Sequence, residues 1–244
     1  DMTTLIRALQ RHAMQQPCKL AVRTSSINLS YLQLFQHVEQ LAIQLRERGV
    51  SRLAILEDNS PAWVIADLAG QMMGASVVPI PLFFSGEQQQ HLVNQSGVQV
   101  VLSSQTSLLD AVTPVEFVGV LEYPTPLGFS FYMMMLSECS MTSVSASKVT
   151  YTSGSTGQPK GVCLTPSVID ETLEALSEAV EQPDGITHLC TLPLATLLEN
   201  IAGVYLPLLK GGTVILKSQA ELGIGGSSGL DIQKWAEALA ESRT

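Results

Sequence analysis

A chain of 244 residues in which 45% are hydrophobic has enough apolar material to build a core, either as one large domain or as two smaller ones. Its formal net charge is -9, and no Lys/Arg-rich run interrupts the acidity. Such a chain is a poor binder of nucleic acid or of an anionic membrane, because counterion release needs clustered cations.

The N-terminal stretch DMTTLIRALQRHAMQQP is amphipathic and has no apolar h-region, so it does not read as a signal peptide. Thr3 or Thr4 is placed to cap a first helix with Leu5, Ile6, Leu9 and Met14 on its apolar face, stopped by Pro17. Two short strands follow, Lys19–Arg23 and Ile27–Leu29, around the polar turn Thr24-Ser25-Ser26. Ser30 then caps a second helix, on which Tyr31, Leu34, Phe35, Val38, Leu41, Ala42 and Leu45 recur at intervals of three and four until Gly49.

From Arg52 the pattern alternates short apolar runs with helices. Leu53–Leu56 reads as a buried strand, and Ser60-Pro61 starts a helix through Trp63, Ile65, Leu68 and Met72 to Gly74. Val77–Ile80 is the next strand, Ser85 caps a helix to Gln95, and Val98–Leu102 is a third strand. Strand and helix alternating with short connections predict an α/β fold, with a mostly parallel sheet and helices on both faces. A Rossmann site would need GxGxxG after its first strand, and Glu57-Asp58-Asn59-Ser60 is not that, so this part reads as scaffold. Further on, Val115–Leu121 is expected to be a strand and Tyr123-Pro124-Thr125-Pro126 a turn. The run Phe129–Leu136 reads as a buried strand or helix segment, and Met141–Ser147 as a loop. No run approaches the ~18 apolar residues of a membrane span, and a soluble, cytoplasmic chain is expected. Cys18, Cys139, Cys163 and Cys190 lie far apart without a CxxC, and the four histidines show no ligand spacing beside them. They are expected to be reduced core thiols, with no metal site.

Tyr151 to Val162, YTSGSTGQPKGV, concentrates hydroxyls, glycines and a lysine in a way no ordinary turn requires. Glycines at Gly154 and Gly157 let the backbone take positive φ and approach a ligand closely. Ser153, Ser155 and Thr156 add hydroxyl donors, and Lys160 adds a cation. This composition describes a phosphate cradle. It is not a Walker A loop, because Pro159 stands where the second glycine is required and Gly161 where the hydroxyl is required. The string TSGSTGxPKG resembles instead the phosphate-loop signature of the adenylate-forming superfamily, which comprises acyl-CoA synthetases, luciferases and peptide-synthetase adenylation domains. The N-terminal helix, hairpin and long helix resemble that family's opening as well.

Beyond this loop, Pro166 and Ser167 lead into a helix through Val168, Leu173, Leu176 and Val180, with Glu171, Glu174, Glu178 and Glu181 on its polar side. His188–Leu192 reads as a strand, Glu199–Leu209 as a helix stopped by Gly211-Gly212, and Thr213–Leu216 as a buried strand. Gly223–Gly229 reads as a connection, and Asp231 as the cap of a helix Ile232–Ser242. The segment LPLATLLENIAGVYLPLLKGG is similar to the family segment written LPLAHxxE in long-chain acyl-CoA synthetases. Leu192–Ala195 and Glu199 match, while Thr196 stands in place of the histidine. In the family this neighbourhood borders the acyl pocket, and Thr196 reads equally well as a helix-capping hydroxyl.

The resemblance implies part of the large N-terminal domain of an acyl-CoA synthetase-like fold, with residues 1–148 as a first scaffold subdomain and residues 149–244 as the phosphate loop and the start of a second. It implies a two-step reaction, in which a carboxylate attacks the α-phosphorus of ATP and a thiol, usually of coenzyme A, then displaces AMP. Thr152, Ser153, Gly154, Ser155, Thr156, Gly157 and Lys160 would hold the ATP phosphates, with Mg²⁺ accompanying the nucleotide. The expected substrate is a fatty or other hydrophobic carboxylic acid, with a peptide-synthetase adenylation domain or a fatty acyl-AMP ligase as alternatives. The family's aromatic-Gly-x-Thr-Glu segment, its Thr-Gly-Asp and its mobile C-terminal domain are absent, so the chain reads as an N-terminal fragment, inactive alone. A non-catalytic nucleotide-binding or interaction module is the alternative from another class.

Overall fold

A computed structural model of the chain describes residues 2–137, 146–153, 157–180 and 185–223. Its first elements are α1 (Thr4–Gln15), β1 (Leu20–Arg23), β2 (Asn28–Ser30), α2 (Tyr31–Glu47), β3 (Arg52–Ile55), α3 (Pro61–Met73), β4 (Ser76–Pro79), α4 (Gly86–Ser96) and β5 (Val100–Ser103). Next come α5 (Thr106–Leu109) with a 3-10 turn (Asp110–Val112), β6 (Phe117–Pro124), β7 (Ser130–Leu136), β8 (Lys148–Ser153) and β9 (Pro159–Leu164). The series ends with α6 (Pro166–Ala179), β10 (Thr187–Leu189), a π-helix (Glu199–Tyr205), α7 (Leu206–Leu209) and β11 (Thr213–Ile215). No helix among the described residues is long and apolar enough to cross a membrane. Two compact units interleave along the chain. One comprises Asp1–Thr3, Val38–Glu57 and Ala62–Ile169, the other Thr4–His37, Asp58–Pro61 and Asp170–Thr244.

The first unit is built on a seven-stranded sheet of order β6-β7-β5-β3-β4-β8-β9. Strands β5, β3, β4 and β8 run parallel, as the alternating strand-helix pattern predicts. At both margins the sheet turns antiparallel, through β7 and β6 on one side and β9 on the other. Tight hairpins suffice there, whereas every parallel step needs a crossover helix. Side chains alternate between faces along each strand. Ala54, Leu56, Val78 and Ile80 pack with Leu92 and Val93 of α4. On the other face α3 lies so close that a Cβ on Gly70 would sit 2.3 Å from Val77 Cγ2. The run from Phe129 resolves into the strand β7, and Tyr123 and Pro124 belong to β6, paired with Phe131 and Ser130. The expected turn therefore moves to Thr125–Phe129, where Thr125 N–H donates to the Phe129 carbonyl. On the margin strand β6, Phe117, Val118, Val120 and Leu121 are exposed.

The second unit holds a four-stranded sheet of order β10-β11-β1-β2, parallel except for the β1–β2 hairpin. Thr24 closes that hairpin, its Oγ1 accepting from the amides of Ser26 and Ile27. Ser30 caps α2 reciprocally, its Oγ accepting from Gln33 N–H while Gln33 Oε1 accepts from Ser30 N–H. Tyr31, fully buried, donates its hydroxyl to the Gly212 carbonyl at 2.6 Å, and burial pushes its pKa well above the ordinary 10.0. Its ring lies 5.2 Å from that of His12, whose Nε2 is 3.0 Å from the Leu209 carbonyl. These two side chains tie the end of α7 to α1 and α2.

Several expectations are corrected. Met14 is 77% exposed, and α1 buries Ala8, His12 and Ala13 beside Leu5, Ile6 and Leu9, because the apolar stripe runs through i+3 and i+4 from Leu5 and Leu9 and Met14 falls off it. Val168 is exposed on α6, where Ile169 and Leu173 carry the buried face. The segment expected to be one α-helix from Glu199 is a π-helix up to Tyr205 and α only from Leu206. Cys18 and Cys163 are exposed free thiols, Cys163 because it lies on the margin strand β9; only Cys190 is a buried one among the described residues. Glu171, Glu174 and Glu178 are exposed as expected. Cys139, Glu181, Asp231, the segment 141–145, the connection after Gly223 and the helix Ile232–Ser242 lie outside the described residues.

Candidate functional site

The YTSGSTGQPKGV stretch is the end of a β-hairpin in the first unit. β8 and β9 pair antiparallel with Thr152 opposite Lys160 and Ser153 opposite Pro159, so the segment 154–158 forms the connection. Gly154, Ser155 and Thr156 lie outside the described residues. Residues opposite each other in an antiparallel pair project to the same face, so the Thr152 and Lys160 side chains share one face of the hairpin. Thr152, Ser153, Gly157 and Lys160 are all exposed. Gly157 has φ +80, the left-handed backbone expected of it, and a Cβ there would meet nothing within 4 Å among the described residues. The described part of the loop thus exposes a hydroxyl, a left-handed glycine and a cation.

The root of the same hairpin is buried. Lys148, Val149, Thr150 and Tyr151 are sequestered while the last two residues of β8 emerge. Lys148 Nζ donates to Asp67 Oδ1 at 2.9 Å, both side chains 1% exposed, and lies 5.7 Å from the Trp63 ring centre. Burial pulls the ammonium below its ordinary value, against the opposing attraction of Asp67. The Tyr151 ring lies across β9 at Gly161, where a Cβ would meet Tyr151 Cζ and Val149 Cγ1 at 3.0 Å. Burial, then the neighbouring Cys163, raises the Tyr151 pKa. Gly161 closes the string TSGSTGxPKG, whereas neither Lys148 nor Asp67 belongs to a sequence motif. The signal for Asp67 is that it is the single charge in the apolar helix PAWVIADLAGQMM.

Thr196 and Glu199 belong to the second unit. The Thr196 hydroxyl donates to the Pro193 carbonyl at 2.6 Å, so it closes the turn before the helix. It does not cap helical amides, which corrects that reading, although the Thr196 carbonyl accepts from Asn200 N–H. Glu199 is buried. Its Oε1 lies 2.6 Å from His188 Nε2, and its Oε2 accepts from Leu192 N–H at 3.2 Å. Burial alone would raise its pKa, but the hydrogen bond and charge of His188, with help from Leu192 and Cys190, hold it below the ordinary value. Cys190 Sγ contacts the Gly203 carbonyl at 3.6 Å, and burial followed by the Glu199 charge pushes its thiol well up. The LPL segment is pinned a second time by Asn59, which donates to the Leu192 carbonyl and accepts from Leu194 N–H, each at 2.8 Å. The segment read as scaffold at Asp58-Asn59 thus supports the second motif. His188 and Cys190 were set aside for lack of ligand spacing, yet two residues apart on an extended segment they share a face.

The hairpin with its exposed hydroxyl, glycine and lysine sits within a broader match, since the family model described as AMP-binding enzyme covers residues 9–224. The chain belongs to the AMP-binding enzyme family. Members of this family are adenylate-forming ligases. Bacitracin synthase 3 of Bacillus licheniformis is 26% identical to this chain over 225 residues, which are 90% of the chain and 3% of the synthase. Nonribosomal peptide synthetase easA of Emericella nidulans is 31% identical over 179 residues, 68% of the chain and 2% of the synthetase. The chain thus spans a small part of the peptide synthetases it matches. Among solved structures, VinN in complex with 3-methylaspartate has TM-score 0.75 at 14% identity, covering 99% of this chain and 65% of VinN. O-succinylbenzoate Coenzyme A Synthetase (MenE) from Bacillus subtilis, in complex with AMP, has TM-score 0.70 at 18% identity, covering 97% of this chain and 59% of MenE. The same enzyme with ATP and magnesium ion has TM-score 0.67 at 18% identity, over 97% of this chain and 61% of that one. At these identities the likeness to solved structures carries the fold alone.

Proposed function

We propose that this AMP-binding chain is the N-terminal portion of an ATP-dependent ligase, in which the β8–β9 hairpin clamps the triphosphate while a carboxylate is converted to its adenylate. The observation that carries this reading is the exposed pairing of Thr152 with Lys160 next to the left-handed Gly157. The carboxylate oxygen attacks the α-phosphorus, the bond to the β-phosphate oxygen breaks, and pyrophosphate leaves; a thiol then displaces AMP. On the resemblance of TSGSTGxPKG to the family signature, Gly154, Ser155 and Thr156 would bind the β- and γ-phosphates. Lys160 neutralises charge on the leaving pyrophosphate, and the Thr152 and Ser153 hydroxyls orient it. Mg²⁺ would be held on the triphosphate oxygens near Thr152, supplying further charge neutralisation. MenE with ATP and magnesium ion supports that pairing.

The relatives named as peptide synthetases support an amino acid as the carboxylate. A second reading, activation of a fatty or other hydrophobic acid for transfer to coenzyme A, is supported by the match of Leu192–Ala195 and Glu199 to the acyl-CoA synthetase segment, with Thr196 and Glu199 near the acyl group. The test is ATP-pyrophosphate exchange by the full-length polypeptide over a panel of amino acids and fatty acids. Each charge-assisted contact contributes about 1.5–3 kcal/mol, so Lys160→Ala should weaken ATP binding by roughly 10- to 150-fold. Unchanged exchange and ATP affinity in that variant would refute the clamp. Exchange with amino acids alone supports the peptide-synthetase type, and exchange with fatty acids alone overturns it for the second reading.

A further inference from the structure

In the second unit, the side chains of His188, Cys190 and Glu199 bring a nitrogen, a sulfur and an oxygen ligand atom within 4.8 Å of one another. Their surroundings are arranged around the carboxylate. Glu199 opens the π-helix, and a wide helical turn of this kind is frequent at functional sites. One turn on, Gly203 leaves the space that Glu199 occupies, since a Cβ there would lie 2.0 Å from Glu199 Oε1 and 3.1 Å from His188 Nε2. Leu192 N–H holds the other carboxylate oxygen at 3.2 Å, the kind of outer support that orients a metal ligand. Access comes from one side, where His188 is 39% exposed while Glu199 is 6% exposed and Cys190 is buried.

We propose that His188 Nε2, Cys190 Sγ and a Glu199 carboxylate oxygen form a binding site for a divalent transition-metal ion of the Zn²⁺ class, with the fourth position open on the His188 side. The donor set decides the class. A thiolate and an imidazole favour a borderline or soft ion, whereas Mg²⁺ and Ca²⁺ require oxygen ligands. Bond lengths of about 2.0–2.3 Å place tetrahedral ligands about 3.3–3.8 Å apart. The His188–Glu199 contact of 2.6 Å must open by about 1 Å and the widest separation close by a similar amount, movements within reach of side-chain rotation. On binding, the Cys190 S–H bond is replaced by S–metal and its proton passes to solvent. Any hydrogen on His188 Nε2 moves to Nδ1 or to solvent, and nothing is oxidised or reduced. This site is independent of the phosphate clamp, and neither proposal needs the other.

The experiment uses the reduced, chelator-stripped full-length protein titrated with Co²⁺ and then with Zn²⁺. The expected result is one ion per chain, a near-ultraviolet thiolate-to-cobalt charge-transfer band, and displacement of Co²⁺ by Zn²⁺. Cys190→Ser should abolish the band. Should that buried substitution unfold the chain by circular dichroism, His188→Asn at the exposed ligand serves instead, and should weaken Zn²⁺ binding at least about tenfold. No charge-transfer band in the unsubstituted protein, a band retained in Cys190→Ser, or unchanged affinity in His188→Asn would each overturn the assignment and leave a hydrogen-bonded cluster.

Discussion

Replacing Lys148 with methionine removes the ammonium that meets Asp67 Oδ1 at 2.9 Å in a fully sequestered pair. At that separation and an effective dielectric of about 20, the Coulomb attraction is about 6 kcal/mol. Desolvation of the two ions takes back several kcal/mol each, so the intact pair is close to neutral compared with an apolar one. Removing one member is different, because the desolvation of the other remains. Lys148→Met should therefore cost about 3–5 kcal/mol, whereas Lys148→Met with Asp67→Leu should recover most of it. The face of Trp63 at 5.7 Å loses its cation in both variants, a further cost of about 0.5–2 kcal/mol. Urea unfolding followed by circular dichroism at constant m-value gives the comparison. A single variant within about 1 kcal/mol of the parent, or a double variant as destabilised as the sum of the singles, would refute the reasoning.

Tyr31→Phe deletes the buried hydrogen bond to the Gly212 carbonyl and should lower stability by about 1–2 kcal/mol in thermal unfolding; an unchanged midpoint contradicts it. Gly161→Ala forces a Cβ to 3.0 Å from Tyr151 and Val149, and should cost about 1–3 kcal/mol unless the ring moves, which tyrosine fluorescence and denaturation report. Asp58 is raised above 3.8 by burial, against hydrogen bonds from the Asn59 and Gln219 amides and with a small push from Glu221. Between 3.8 and that raised value the folded state binds more proton than the unfolded one. Its contribution to stability therefore grows as pH falls through this window and is lost as pH rises. The stability difference between the parent and Asp58→Asn should shift in the parent's favour on acidification, and a flat or opposite difference would count against it.

Most of the fold was legible because burial follows periodicity. The stripe Tyr31, Leu34, Val38, Leu41 and Leu45 marks α2, and the runs at Leu53, Val77 and Val100 mark the parallel centre. Loop chemistry was legible where a residue type has one use, as with Ser85, which caps α4; its reciprocal partner Gln88 emerges only in the structure. Met14 misled because an apolar residue one position off the stripe is as apolar as one on it. The π-helix was not legible, since no local pattern marks it and the close approach of Glu199 to Gly203 within it appears only in the structure. Within the candidate site, the hydroxyls, glycines and lysine between Thr152 and Lys160 stand out by composition. Partners brought together by the fold, such as Lys148 with Asp67 or Asn59 with Leu192 and Leu194, are distant in sequence and carry no local pattern.

The β8–β9 hairpin divides its labour along its length. Lys148, Val149 and Tyr151 bear the fold at one end, while Thr152 and Ser153 at the other are exposed. Over six residues, about 20 Å of strand, the exposed tip can therefore change in sequence without endangering the structure that holds it in place. Such a ribbon is an evolvable handle, whose grip can change while its fastening stays constant.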